Sequence, residues 1–220
     1  MSQSTCHSLR LLKLLKMKLS TIFCLLTLAA STFADYTNQS APFALVLRAK
    51  NSSLDGATLI PCHEGAAIEG LCVSTRNLSN AVQFNFNTSS QGGAQFDSEI
   101  GELGILTWFL RGGANVSSGL TLSSNIATNV GIPLFFPGSQ NAQVVAFDSH
   151  GLLNLQHYVD DRVAPPYRNM TAYYRWNICN TYWGYYYSTL AWVYGDGKPQ
   201  NPTCEAVNVT RVWTSTSSRK

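Results

Sequence analysis

The chain has 220 residues, 45% of them hydrophobic and 12% charged, with fifteen Lys/Arg against twelve Asp/Glu. Such a length supports one well-buried core and is small for two. So even a charge balance excludes the basic stripe with which a protein neutralises a run of phosphates.

The first predicted element is a targeting segment. Ile22-Phe23-Cys24-Leu25-Leu26-Thr27-Leu28-Ala29-Ala30 is an apolar run of nine residues, within the roughly 7–15 of a signal-peptide core and short of a bilayer span. Arg10, Lys13, Lys16 and Lys18 precede it, no acid occurs before Asp35, and Thr32-Phe33-Ala34 offers small residues where a signal peptidase reads. Residues 1–34 are therefore read as a signal peptide cleaved after Ala34. Because Met17-Lys18-Leu19 begins an ordinary leader by itself, residues 1–16 are an over-extended start or a long n-region. Cleavage leaves eleven basic and twelve acidic side chains, a formal charge of −1, so neither nucleic acid nor an acidic membrane is an expected partner.

Residues 35–42 read as a short lead-in, 43–213 as a single all-β domain and 214–220 as a polar tail without the hydrophobic stretch of a glycolipid-anchor signal. Along the domain, short apolar or alternating runs are separated by Gly, Asn, Ser and Pro clusters, with no sustained helical period. Phe43, Leu45 and Leu47 alternate, Asn51–Gly56 turns, and Ala57–Ile60 returns, which predicts a hairpin. Val82-Gln83-Phe84-Asn85-Phe86-Asn87 places Val82, Phe84 and Phe86 on one face and the amides on the other. Val144–Phe147, Asp148-Ser149-His150-Gly151 and Leu152–Leu155 form a second hairpin with a tighter turn. Further strands are expected near 105–110, 119–123, 132–136, 172–179, 185–194 and 205–213. Roughly twelve short strands imply an antiparallel β-sandwich or barrel; a β-trefoil is the alternative, although no threefold repeat is visible. In the last strand Val207 and Val209 face the core and Asn208 faces out. Arg211 then falls on the buried side, which requires either a bulge or an internal partner.

Cys6 and Cys24 leave with the leader, and Cys62, Cys72, Cys179 and Cys204 remain. An even count on an exported chain reads as disulfides. Of three connectivities, the close spacing favours Cys62–Cys72 and Cys179–Cys204. The Cys and His residues lack metal-ligand spacing, and no metal or other cofactor is expected. Asn-x-Ser/Thr glycosylation signals stand at Asn38, Asn51, Asn77, Asn87, Asn115, Asn169 and Asn208, marking loops and outward faces.

Ten aromatic residues fall between Tyr173 and Tyr194. Flat rings stack on the apolar faces of pyranoses while phenol and indole groups bond the hydroxyls, so the types suit a polysaccharide. The competing reading is a core sheet, with Tyr186, Leu190, Trp192 and Tyr194 inward and Tyr185, Tyr187 and Thr189 on the other side. Tyr182, Trp183, Tyr185 and Tyr187 are the candidate ligand contacts. His63-Glu64 resembles the start of a zinc-protease helix but has no second histidine three residues on and reads as a disulfide-flanking loop. His150 falls in a turn and His157 on a strand. Asp160 and Asp161 point opposite ways in an extended chain, while Asp148 with Asp160, or Glu64 with Glu69, could approach the 5–10 Å of a glycosidase pair only through folding. No catalytic residue is assigned.

Gly65–Cys72, Tyr158-Val159-Asp160-Asp161, Tyr174–Cys179, Thr189–Val193, Pro199–Cys204 and Arg211-Val212 together resemble a family of small secreted ascomycete proteins of unknown function. The resemblance spans about residues 43–213 and implies a fungal source, export, and cell-wall or host-facing roles. The expectation is a secreted, non-catalytic extracellular glycoprotein that binds cell-wall polysaccharide. The alternatives are an effector that contacts an extracellular protein, and a small hydrolase.

Overall fold

The computed structural model describes residues 36–74, 78–89, 97–110 and 116–214. The leader with its cleavage site, the tail after Thr214, and the sequons at Asn77 and Asn115 lie outside them.

The described residues form fourteen strands and one short 3-10 turn, Leu78–Asn80. The strands are Asn38–Gln39 (β1), Phe43–Ala49 (β2), Thr58–Gly65 (β3), Ile68–Ser74 (β4), Asn85–Thr88 (β5), Leu103–Leu110 (β6) and Val116–Ser124 (β7). They continue as Val130–Pro137 (β8), Val144–Phe147 (β9), Leu153–Asp160 (β10), Tyr167–Tyr173 (β11), Trp176–Tyr182 (β12), Tyr186–Val193 (β13) and Glu205–Trp213 (β14). All pair antiparallel in the order β11-β10-β9-β6-β7-β8-β13-β12-β14-β2-β3-β4, with β5 joining β1 to β6. The sheet curls until β4 also pairs with β8 and β13, yet it does not close into a barrel: β11 pairs with β10 alone and remains an edge. The architecture is sandwich-like, and the barrel and trefoil alternatives fall away.

One apolar cluster fills the curl. Phe43, Leu45 and Leu47 of β2, Leu71 of β4, Leu106 of β6, Leu120 of β7, Phe135 of β8, Trp176 of β12, Leu190 of β13 and Val209 of β14 meet there. Phe84 and Phe86 contribute from one face, keeping the alternation expected of 82–87, although the strand itself starts only at Asn85. Trp176 is the largest fully buried side chain; its indole N–H donates to the Leu153 carbonyl at 2.8 Å, and its ring meets Trp192 edge-on at 4.7 Å. Burying each such side chain contributes about 3 kcal/mol, and the bonded N–H removes the cost of burying a polar atom.

The two disulfides join Cys62 to Cys72 across β3 and β4, and Cys179 of β12 to Cys204 just before β14. Each stabilises the fold by roughly 3 kcal/mol on a chain-entropy basis, and both fit an oxidising compartment.

Alternation missed β1, β4 and β11 and merged 172–179 into one strand. Glu69 and Gly70 interrupt the period-2 signal of β4 although its Leu71 reaches the core, and β11 is largely exposed and needs no apolar face. The chain breaks between Tyr173 and Trp176, where Tyr174 turns toward the β9–β10 connection.

Asp148 organises that connection. Its carboxylate is 7% exposed and accepts from the backbone N–H groups of His150 and Leu152, at 2.9 and 2.8 Å, and from the Tyr174 hydroxyl at 2.8 Å. Gly151, at φ 76°, supplies the left-handed residue the turn needs. Arg211 needs neither device expected for it. β14 keeps an unbroken register along β2, pairing Arg211 with Leu45, and its guanidinium lies against the Phe147 and Trp213 rings, 4.9 and 5.0 Å from their centroids. Burial pulls its pKa down while the charge of Asp148 opposes that.

Burial, reinforced by Asp148, pushes the Tyr174 hydroxyl up to about 12. Unfolded tyrosine ionises near its ordinary value of 10.0 while the folded one holds its proton, so wild-type stability falls between pH 10 and about 12. Tyr174→Phe should flatten that decline and, at pH 7, cost about 1.5–3 kcal/mol in denaturant unfolding, the worth of a hydrogen bond to a charged group.

Candidate functional site

β12 and β13 form a hairpin whose base is core and whose tip is not. Trp176 pairs with Trp192 and Ile178 with Leu190, all buried. The next pairs on the same face, Asn180 with Ser188 and Tyr182 with Tyr186, are exposed. The core ends there, and the last turn of the ladder projects past it. At the tip Tyr182 is 69% exposed, Trp183 42%, Tyr185 48% and Tyr186 67%.

Strand alternation divides these rings. Tyr182 and Tyr186 share one face. Tyr187 lies on the other with Thr181 and Thr189, whose buried hydroxyls bond each other at 2.6 Å. Tyr185 stacks on Tyr187, centroids 6.0 Å apart and planes 30° from parallel, and the His63 ring stands 5.5 Å from Tyr185. Of the four candidate contacts, Tyr185 and Tyr187 therefore adjoin, Tyr182 faces away from them, and Trp183 sits at the turn. Tyr186, expected inward with Leu190 and Trp192, is instead an exposed ring, because no strand covers that side beyond Leu190. Tyr194 is likewise 38% exposed.

The tip is pinned from below. His63-Glu64 is part of β3, not a loop. Glu64 is 2% exposed, and its Oε2 accepts from the backbone N–H groups of Gly184 and Tyr185, both at 3.1 Å. Two unpaired donors of a tight turn thus meet one anionic acceptor, a charge-assisted arrangement of about twice ordinary strength. Glycine is required at 184, since a Cβ would collide with the Glu64 carbonyl oxygen. Glycine at 70 leaves room beside the carboxylate: a Cβ there would stand 3.2 Å from Glu64 Oε1 and 3.3 Å from Cys62 Sγ. The Cys62–Cys72 disulfide, Glu64 and the aromatic turn are therefore one packed unit.

The carboxylates separate by role. Glu64 anchors the hairpin, and its neighbour Glu69 lies 3.8 Å from His63. Burial raises the Glu69 pKa above the ordinary 4.5, with the Glu64 charge adding to this and His63 opposing it. Asp160 is clamped by Arg162, which also reaches Asp196 at 3.0 Å, and hydrogen bonds from Arg162 hold it at about 2. Asp148 and Asp160 stand at opposite ends of β10, roughly 20 Å apart by strand rise, too far for a glycosidase pair. His157 bonds its own strand at Val159, and the backbone of His150 serves the Asp148 turn. Among the described residues no group of three or more His, Cys, Asp or Glu could hold a metal, and no helix is long and apolar enough to cross a membrane. Asn38, Asn51, Asn169 and Asn208 are exposed, and Asn87 is half-buried between β1 and β6.

Fold and site together define an all-β domain, stapled by two disulfides, that presents an anchored aromatic hairpin. The chain belongs to the family described as Domain of unknown function (DUF7907), whose model matches residues 40–213. No curated protein and no solved structure matches it.

Two outcomes test the anchor. Glu64→Ala should speed amide hydrogen exchange at Gly184 and Tyr185 by roughly tenfold or more while core amides of β12 and β13 stay protected. Because a raised carboxyl pKa means the folded state holds its proton longer, stability is lost as pH rises from 4.5 through the folded value. Glu69→Gln should thus raise the melting temperature at pH 7 relative to wild type and leave it unchanged at pH 3.

Proposed function

We propose that this is a secreted, N-glycosylated, non-catalytic protein of an ascomycete, and that it binds cell-wall polysaccharide through the tip of the β12–β13 hairpin. The observation that carries the reading is the exposure of four large aromatic rings on an anchored turn. Folding gains little from leaving Tyr182, Trp183, Tyr185 and Tyr186 in water, and exposed aromatic surface on either face of the hairpin supports a contact site. Rings already held in place lose little entropy on binding, and their polar tips suit hydroxyl-rich ligands. Asn169 and Asn208 flank the segment along the chain, and no sequon falls within it, which leaves the tip itself free of glycan attachment points.

A protein-binding effector is less well supported. Its best surface is the β10–β11 hairpin, where Tyr158, Val163, Tyr167 and Met170 are exposed, but the sequon Asn169 stands among them. For a hydrolase, the His63–Glu69 pair is the nearest arrangement, and its imidazole is 57% exposed on an open strand pair.

Binding of the exported protein to an array of fungal and plant wall polysaccharides tests the proposal. Tyr182→Ala/Tyr186→Ala and Tyr185→Ala/Tyr187→Ala probe the two faces separately. One pair should lower affinity by tenfold or more, as loss of stacking worth about 1.5 kcal/mol implies, with the circular dichroism spectrum unchanged. Absence of binding to every glycan would overturn the reading.

A further inference from the structure

A second site lies away from the hairpin tip, on different strands. A cleft of about 220 Å³ is lined by Asn38 and Gln39 of β1, Phe86 of β5, Glu102, Phe147 of β9 and Arg211 of β14, among others. Its volume falls below the roughly 300–1,000 Å³ of drug-sized pockets, so it admits a single small ring.

Arg211 is its distinctive feature. The residue lies on the core-facing side of β14 where the core gives out, with its guanidinium against Phe147 and Trp213. Among the described residues no carboxylate lies within ion-pair distance of it, and its side chain makes no hydrogen bond. Asp148, which acts on it through its charge, already takes three protein donors on its carboxylate. A guanidinium that opens on a cleft with no protein acceptor keeps its donors available to a ligand, and a bidentate carboxylate is the partner that matches its fork.

The other walls narrow the class. Glu102 also lines the cleft, so a sulfate or phosphate, with up to two negative charges against a carboxylate's one, meets the greater repulsion there. A ligand that adds hydroxyl donors to a carboxylate satisfies both Glu102 and Arg211. Gln39 offers a further amide, and Asn38 keeps its carbonyl oxygen free of the bond its amide makes to Thr88 at 3.3 Å. We propose that this cleft binds a single uronic-acid unit, its carboxylate paired with Arg211 and its hydroxyls on Glu102 and the β1 amides.

The test uses the chain exported to a bacterial periplasm, where disulfides form; mass spectrometry of the natively secreted chain should find Asn38 bare, since a glycan there would fill the cleft and overturn the assignment. Calorimetric titration compares galacturonate and glucuronate with galactose and glucose, and with oligogalacturonides. The expected result is saturable binding of a uronate, at least tenfold tighter than its neutral counterpart, and unaffected by Tyr185→Ala/Tyr187→Ala. Oligomer binding equal to the monomer's identifies a chain terminus as the source, and monomer binding alone identifies the free sugar acid. Arg211→Gln should weaken uronate binding tenfold or more. Arg211→Lys, which keeps the charge and the aliphatic stem over Phe147, should fold and still lose most of the affinity because the fork is gone. No uronate binding, equal affinity for the neutral sugars, or unchanged affinity in the folded Lys variant would overturn the assignment. Loss of polysaccharide binding at the hairpin tip, by contrast, leaves these titrations unaltered.

Discussion

A sheet with no α-helix to cover it has to bury its own apolar face. Among the described residues the fourteen strands meet that constraint by curling, so that β4 comes back onto β8 and β13 and one cluster around Trp176, Phe43 and Phe135 fills the space between. Both faces of β2, β8 and β13 become covered along part of their length, and the expected polar-out alternation disappears there. Wherever a strand outruns the curl, its inward face is left open. The hairpin tip at Tyr182 and Tyr186 and the cleft at Arg211 are both such places, and each carries residues unusual for bare surface.

The same constraint explains why anchoring is needed at the tip. A hairpin that leaves its sheet loses neighbours on both faces and should fray. Glu64 opposes this from β3 by accepting two turn N–H groups, and Gly184 allows the turn to lie directly against the β3 backbone. The Cys62–Cys72 bridge holds β3 to β4 immediately below. The buried Glu64 carboxylate supplies the acceptor that these two turn donors need where they face the protein.

Much of the fold was legible. Period-2 apolar patterns placed β2, β5, β9, β10 and β14 close to their positions, because apolar residues at alternate positions of each reach the core. Cysteine spacing yielded both disulfides, since each closes a short loop. β1 and β11 were hidden, having no apolar face to advertise, and β4 because Glu69 and Gly70 interrupt the run around Leu71. At the candidate site, composition singled out the segment whose tip the structure leaves exposed but not the faces of its rings: Tyr186 has the parity of the core residues Leu190 and Trp192, and nothing local reveals that the core stops between them. Glu64 was weighed beside His63 and as a partner for Glu69, but not as an anchor for the hairpin turn.

What the sequence alone determined is what short-range chemistry decides: the all-β class, the pairing of cysteines ten and twenty-five residues apart, the turn at Asp148–Gly151 and the aromatic richness of 173–194. The tertiary structure decided where the curl ends, and therefore which rings remain in water, which carboxylate pins the turn and why Arg211 faces a cleft. Those outcomes depend on contacts between residues more than a hundred positions apart, such as Glu64 with Gly184 and Tyr185, and no local pattern encodes a distance across the fold.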